Sequence, residues 1–195
     1  MDSASKRGVF INCPFDATYK DKFNAIIFTI YDCGFIPRCA LEYADSGAIR
    51  FIKICNLIKE CHYGIHDISR VQLDAKTKLP RFNMPFELGL YIGAKTFGNK
   101  KGEEKVCLVM DTEKYRYQKF CSDLAGTDIE GHSDKIQRVI SVVRDWLSQF
   151  TDEGLRGDKY IFGRYERFLG TLPIICRERH LDRKRIIFRD YVSFS

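Results

Sequence analysis

The sequence predicts one α/β domain built on a mostly parallel sheet with helices on both faces. Short β-prone apolar runs alternate with segments whose apolar residues recur at helical spacing, which is typical of strand–helix–strand units. The length of 195 residues fits a single domain, and an apolar fraction of 45% supplies its core. We expect the core over about residues 8–150 and a C-terminal extension over residues 151–195.

Changes in the spacing of the apolar residues mark the first two strands and the helix between them. Residues 9–11 form a short β-prone run, which the turn-forming residues 12–14 close. From Tyr19 the apolar residues recur at helical spacing, and Gly34 is expected to end this amphipathic helix. A second strand is then predicted over residues 35–41.

The alternation continues through the middle of the chain. One apolar face predicts a second helix over residues 49–61, and residues 63–68 are a third strand candidate. After a long polar loop, a third helix is expected over about residues 83–95, with Asn83 as its cap. Residues 105–110 form an almost unbroken apolar run, as in a strand covered on both faces.

The C-terminal part of the sequence is harder to interpret. Ser133 is predicted to cap a last strong amphipathic helix. Beyond Thr151, residues 173–175 and 185–192 are candidates for further β segments.

Composition argues against several classes of function. The eight cysteines contain no C-x-x-C pair, so no metal site is expected and the thiols are interpreted as buried apolar groups. The N-terminus lacks the apolar stretch of a signal peptide, which predicts a cytoplasmic protein. No apolar run approaches the roughly 20 residues that span a bilayer, so no membrane contact is expected.

The net charge of +6 is not distributed as in a nucleic-acid-binding protein. Half of the excess lies in residues 171–195, where aromatic residues do not interleave with the cations and no nucleic-acid motif is present. We therefore expect this tail to face solvent or a protein partner.

Polar groups follow the first three predicted strands. They lie in residues 12–16, in residues 38–46 and from Asp67 onwards, and parallel sheets bind ligands at these carboxyl ends. Glu87 falls in the first or second turn of the third helix, where the helix dipole favours an ionised carboxylate. Two roles remain open for Glu87. Its carboxylate either faces a ligand or only balances the positive end of its own helix dipole.

A family resemblance appears around this glutamate. Asp67-Ile68-Ser69, followed by Phe86-Glu87-Leu88-Gly89-Leu90 and Gly93-Ala94, resembles the Asp … Glu-Leu-Gly … Ala pattern of nucleoside 2-deoxyribosyltransferases and TIR-like domains. Residues 9–12 are similar to the first strand of TIR domains, and the likeness covers roughly residues 8–147. It implies a flavodoxin-like three-layer sandwich.

The resemblance also implies a function. These families cleave the N-glycosidic bond of nucleosides or of NAD with a glutamate where Glu87 stands, and a carboxylate can stabilise the oxocarbenium-like ribose that forms. Nicotinamide leaves as a neutral group from a cationic ring, so one carboxylate suffices for hydrolysis or cyclisation of NAD. The expected protein is a homo-oligomer in prokaryotic anti-phage defence, with NAD as substrate and without a cofactor.

Two alternatives stay open. Base transfer between nucleosides usually uses a second carboxylate shortly before the glutamate, but residues 79–82 are Leu-Pro-Arg-Phe. A non-catalytic module that binds nucleotides or assembles with partners would use the same fold.

The expected substrate site has further members around Glu87. Asp67 either orients ribose hydroxyls or caps the following loop, and Asn12 either binds ligand or forms a turn. Arg38, like Arg50 and Arg81, either holds a pyrophosphate or is a surface charge. The residues predicted to contact substrate are Phe10, Asn12, Pro14, Arg38, Asp45, Ser46, Asp67, Ser69 and Asn83.

Overall fold

A five-stranded parallel sheet forms the centre of the molecule. The computed structural model describes residues 7–43, 45, 47–74, 78–98, 104–152 and 154–195. Within these ranges the strands, in chain order, are β1 (Gly8–Asn12), β2 (Ile36–Arg38), β3 (Tyr63–Asp67), β4 (Val106–Asp111) and β5 (Glu130–Gly131). Their order across the sheet is β2-β1-β3-β4-β5, and every pair is parallel. This is the flavodoxin-like order, which confirms the predicted fold class.

Helices cover both faces of the sheet. In chain order, the described helices are α1 (Lys20–Asp32), α2 (Arg50–Glu60), α3 (Asn83–Phe97), α4 (Ile136–Leu147), α5 (Asp158–Glu178) and α6 (Phe188–Phe194). Successive side chains of β1 point to opposite faces of the sheet. Val9 and Ile11 share a core with α1 and with α4 to α6 on one face, while Phe10 packs with residues of α2 and α3 on the other. The result is the expected three-layer sandwich.

The region after Thr151 is helical, and the β segments predicted there are wrong. Pro173 lies inside α5, and α6 occupies most of the second predicted segment. Ile161, Tyr165, Leu172 and Cys176 recur at helical spacing and are buried in the same core as α1 and α4. The short apolar run at Pro173 therefore belongs to a longer helical pattern.

Several element ends differ from the prediction. The second strand stops at Arg38, and a 3₁₀ turn (Ala40–Glu42) follows where the strand was expected to continue. Asn83 is the first residue of α3 and not its cap. Ser133 has a positive φ of 50° and lies before the start of α4, whose cap position is Lys135. The two-residue strand β5 was not predicted.

The cysteines fit their interpretation as apolar groups. Five are buried, the other three are half-buried, and all eight are free thiols. In the described part of the chain, no helix is long and apolar enough to cross a membrane.

Candidate active site

Glu87 lies at the carboxyl-end edge of the sheet, on the buried face of α3. Met84, Glu87, Leu88 and Tyr91 are the buried residues of this helix, and their spacing forms one helical stripe. The glutamate is only 7% exposed because it occupies a position that an apolar residue would normally take. A carboxylate within an apolar stripe is a signal that can be found in the sequence.

Burial changes the ionisation of Glu87. Loss of water raises its pKa from 4.5 to about 7, and the nearby positive charge of Arg50 offsets only part of this effect. Among the described residues, none forms a hydrogen bond or ion pair with the carboxylate. Burial therefore outweighs the helix start, which was expected to favour the ionised carboxylate, and the protonated form persists towards neutral pH.

The beginnings of α2 and α3 approach each other beside this carboxylate. Arg50, the first residue of α2, lies with its guanidinium 5.6 Å from the ring centroid of Phe15, in the loop after β1. The rings of Phe51 and Phe86 are 6.1 Å apart. Both phenylalanines are exposed, so an aromatic rim stands next to the buried acid.

Asn12 connects β1 to the first turn of α3. Its amide Nδ2 donates to the Met84 carbonyl oxygen at 2.9 Å and lies 3.0 Å from Nδ1 of His66. Burial lowers the pKa of His66 to about 3, so its ring is neutral and accepts at Nδ1. Asn12 is buried and thus holds α3 over the strand-order reversal between β1 and β3.

Phe10 does not face the site. Its side chain is buried between β1 and the helices α2 and α3, and its ring lies 5.8 Å from that of His66. The predicted substrate contact from Phe10 is therefore wrong, because strand alternation directs this side chain into the core.

Asp67 is the centre of a buried polar network. Its carboxylate accepts from the Tyr19 hydroxyl and from the Ser69 backbone N–H at 2.8 Å, and it lies 3.0 Å from Nε2 of His132. Nε2 of His132 is close enough to the carboxylate to lower its pKa, although the contact does not have the geometry of a regular hydrogen bond. Burial alone would raise the pKa of Asp67, but these partners outweigh it and the pKa is lowered.

This network decides between the two roles considered for Asp67. The carboxylate is fully buried and caps the loop that follows β3, so it does not reach ribose hydroxyls. Ser69 is also buried, and its carbonyl oxygen accepts from Arg116 at 2.7 Å. Tyr19 and His132 were not identified from the sequence, because each comes from a distant segment.

Arg38 is engaged within the protein. Its guanidinium makes hydrogen bonds of 2.6–2.9 Å to both carboxylate oxygens of Glu42 and one of 2.9 Å to Glu60. Two carboxylates thus already balance the charge that was expected to hold a pyrophosphate.

The remaining predicted residues lie at different depths. Asp45 is exposed, and its side chain accepts from the Gly47 backbone N–H at 2.9 Å. Asn83 is exposed at the start of α3, whereas Pro14 is buried in the loop after β1. Ser46 lies outside the described residues.

Of two cavities in the described part of the chain, the smaller of about 400 Å³, the larger is not centred on Glu87. It has a volume of about 640 Å³ and lies between the loop after β1, α1 and the C-terminal helices. Pro14 and Phe15 line it, and Phe15 is also the residue that contacts Arg50. Glu87 is not among its lining residues.

These features define a class: a flavodoxin-like α/β protein with a buried carboxyl group at the carboxyl-end edge of its sheet. No protein-family model matches the chain, and comparison with curated proteins and with solved structures finds no match. The resemblance to TIR-like domains and deoxyribosyltransferases stays a prediction from the residues quoted above.

Proposed function

We propose that the chain is an N-glycosidase that cleaves the bond between nicotinamide and ribose in NAD, with Glu87 as the catalytic residue. One observation carries the proposal: the Glu87 carboxyl is buried at the strand-order reversal and has no partner among the described residues. Burying a carboxyl group without a partner costs folding free energy. Acids with shifted pKa values are concentrated at functional sites.

The chemistry needs little more than this carboxylate. When the C1′–N1 bond of NAD breaks, its electron pair moves to the cationic pyridinium ring, which leaves as neutral nicotinamide. The ribose becomes oxocarbenium-like, and ionised Glu87 stabilises it until water or a ribose hydroxyl attacks C1′ and loses a proton. The cationic substrate favours the ionised form of a carboxyl group whose pKa is about 7.

The surroundings of Glu87 support an anionic nucleotide as the ligand. Arg50 is exposed at the first position of α2, where the helix start adds its own positive partial charge. The exposed rings of Phe51 and Phe86 offer apolar surface for a base. Arg50 therefore replaces Arg38 as the residue proposed to meet the pyrophosphate.

The test is release of nicotinamide from NAD. Purified protein is incubated with NAD over a range of protein concentrations, and free nicotinamide is measured by chromatography. We expect Glu87→Gln to reduce release by about 100-fold or more, as when a group that stabilises the transition state is removed. Glu166→Gln, which changes an exposed glutamate of α5, serves as the matched control.

Two results would contradict the proposal. One is no release by the wild-type protein at any concentration, and the other is equal release by wild type and Glu87→Gln.

A non-catalytic nucleotide-binding module is the second candidate. It is favoured by the position of the larger cavity, whose lining does not include Glu87. This candidate predicts that NAD binds, as measured by calorimetry, but that no nicotinamide is released.

A further inference from the structure

The larger cavity is built from the β1–α1 loop and from the C-terminal helices. Its lining is mostly apolar, with charged residues at exposed or half-buried positions. We propose that it is a second ligand site, distinct from the one at Glu87, and that it binds a small amphipathic anion.

The size and the walls of the cavity suit a small apolar body. Its volume of about 640 Å³ falls in the range of roughly 300–1,000 Å³ that is common for small-molecule sites. Phe23 and Ile27 of α1 form one wall, while Leu172 of α5 and Phe188 of α6 form another. A ligand between these walls would be enclosed by side chains of elements that already share one core.

Tyr191 provides a buried polar group inside this apolar lining. Its side chain is only 4% exposed, and the hydroxyl of Tyr165 is close enough to interact with its hydroxyl, although no described residue forms a hydrogen bond of regular geometry with it. The hydroxyl of Tyr165, a polar neighbour, donates to the Asp21 carbonyl oxygen at 3.3 Å. A polar ligand atom at this point would give the buried Tyr191 hydroxyl a hydrogen bond of regular geometry.

The charges on the lining favour a negative head group. Lys20, Arg183 and Lys184 are exposed, and their side chains form no ion pair with a described residue. Asp16 also lines the cavity, but its carboxylate already accepts from Thr18 and Tyr19 and lies 3.5 Å from Arg70.

Asp21 opposes these three cations, so the unpaired charge of the lining stays positive. Charge complementarity therefore selects an anion over a neutral or cationic amphiphile.

The site is tested with two probes that share one carbon skeleton. The anionic probe is 1-anilinonaphthalene-8-sulfonate, and the neutral probe is N-phenyl-1-naphthylamine, which lacks the sulfonate. We expect saturable binding of the anionic probe to the folded protein, followed by fluorescence, and an increase in melting temperature on binding. The near-ultraviolet circular dichroism of the protein should not change.

Three kinds of variant locate the bound probe. Leu169→Trp fills the cavity from α5 and should weaken both probes. Lys20→Glu combined with Lys184→Glu should weaken the anionic probe about tenfold and leave the neutral probe unchanged, because each reversed charge acts near the surface. The control is Lys159→Glu, an exposed lysine in the first turn of α5 that does not line the cavity, and it should change neither affinity.

Two further variants test the hydroxyl and the separation of the sites. Tyr191→Phe should leave the melting temperature unchanged or higher and weaken the anionic probe, while Glu87→Gln should bind both probes like wild type.

The proposal would be overturned by non-saturable binding, by unchanged affinity in Leu169→Trp, or by equal losses for the two probes in the charge variants. Loss of stability in Tyr191→Phe would show that the hydroxyl is already bonded. Loss of probe binding in Glu87→Gln would place the probe at the other site. These results do not depend on whether the protein releases nicotinamide from NAD, because the second ligand site does not rest on the proposed glycosidase activity.

Discussion

Raising the pH from about 4 to about 8 should lower the free energy of unfolding, because Glu87 loses its proton over this range. Replacing Glu87 with glutamine should remove this contribution to the pH dependence. In the unfolded chain the carboxyl loses its proton near its ordinary pKa of 4.5, but in the folded protein it keeps the proton until about 7. Between these values the folded state binds more protons than the unfolded state. The free energy of unfolding therefore falls as the pH rises through this window and levels off above it.

The size of the effect follows from the two pKa values. The step from 4.5 to about 7 corresponds to about 3 kcal/mol, since one pKa unit is worth about 1.4 kcal/mol. Glu87→Gln keeps the shape of the side chain without its charge. We expect the variant to match wild type at about pH 4 and to be more stable by up to about 3 kcal/mol at about pH 8.

Urea denaturation at a series of pH values measures this difference. Other groups, such as Asp67 with its lowered pKa, titrate equally in both proteins, so they cancel when the variant is compared with wild type. Glu166→Gln, at an exposed position, should stay within about 0.5 kcal/mol of wild type throughout. A stability difference that is independent of pH, or a destabilised Glu87→Gln variant at about pH 8, would refute the burial argument.

Three further predictions concern packing and charge. Gly64→Ala should lower the free energy of unfolding by about 1–3 kcal/mol, as measured by urea denaturation. A Cβ at this position would stand 2.8 Å from ring atoms of Tyr91, and this ring cannot easily move because its hydroxyl is held by two backbone carbonyls. Gly89→Ala, on the exposed side of α3 with no heavy atom within 4 Å of its Cβ, should instead stabilise by about 0.5–1 kcal/mol; a loss there would contradict the reasoning. Arg116→Met should cost about 3–5 kcal/mol, since it leaves the buried Asp111 carboxylate without its cation, and a loss below about 1 kcal/mol would show that the pair is not needed.

The fold was predictable where one element carries its own pattern. The strand residues 9–11 and 106–110 are continuous apolar runs, and α1 shows its period over more than three turns, so local sequence fixes their type. The strand β5 has two residues and is too short for any period to appear. In α5, by contrast, Pro173 hides a helical stripe that becomes clear only when the whole segment is considered.

The site was predictable only in part because pairing partners come from distant segments. Glu87 could be found, since its place on a helix stripe is a local property. The engagement of Arg38 by Glu60, and of Asp67 by His132, depends on chain packing that no local spacing encodes. Residues that look free in the sequence are thus bonded in the structure.

The contrast between Glu87 and the other buried charges is the strongest argument that Glu87 is retained for function. Among the described residues, Lys22 is paired with Asp134, and Lys105 donates to two backbone carbonyls. Asp67 has a hydroxyl, an amide and an imidazole around its carboxylate, and Arg116 binds Asp111. Each of these buried charges has at least one polar partner, as the cost of burying an unpaired charge requires. Glu87 has no such partner among the described residues, and in the proposed reaction the cationic nicotinamide ring of NAD would supply the positive charge that favours its ionised form.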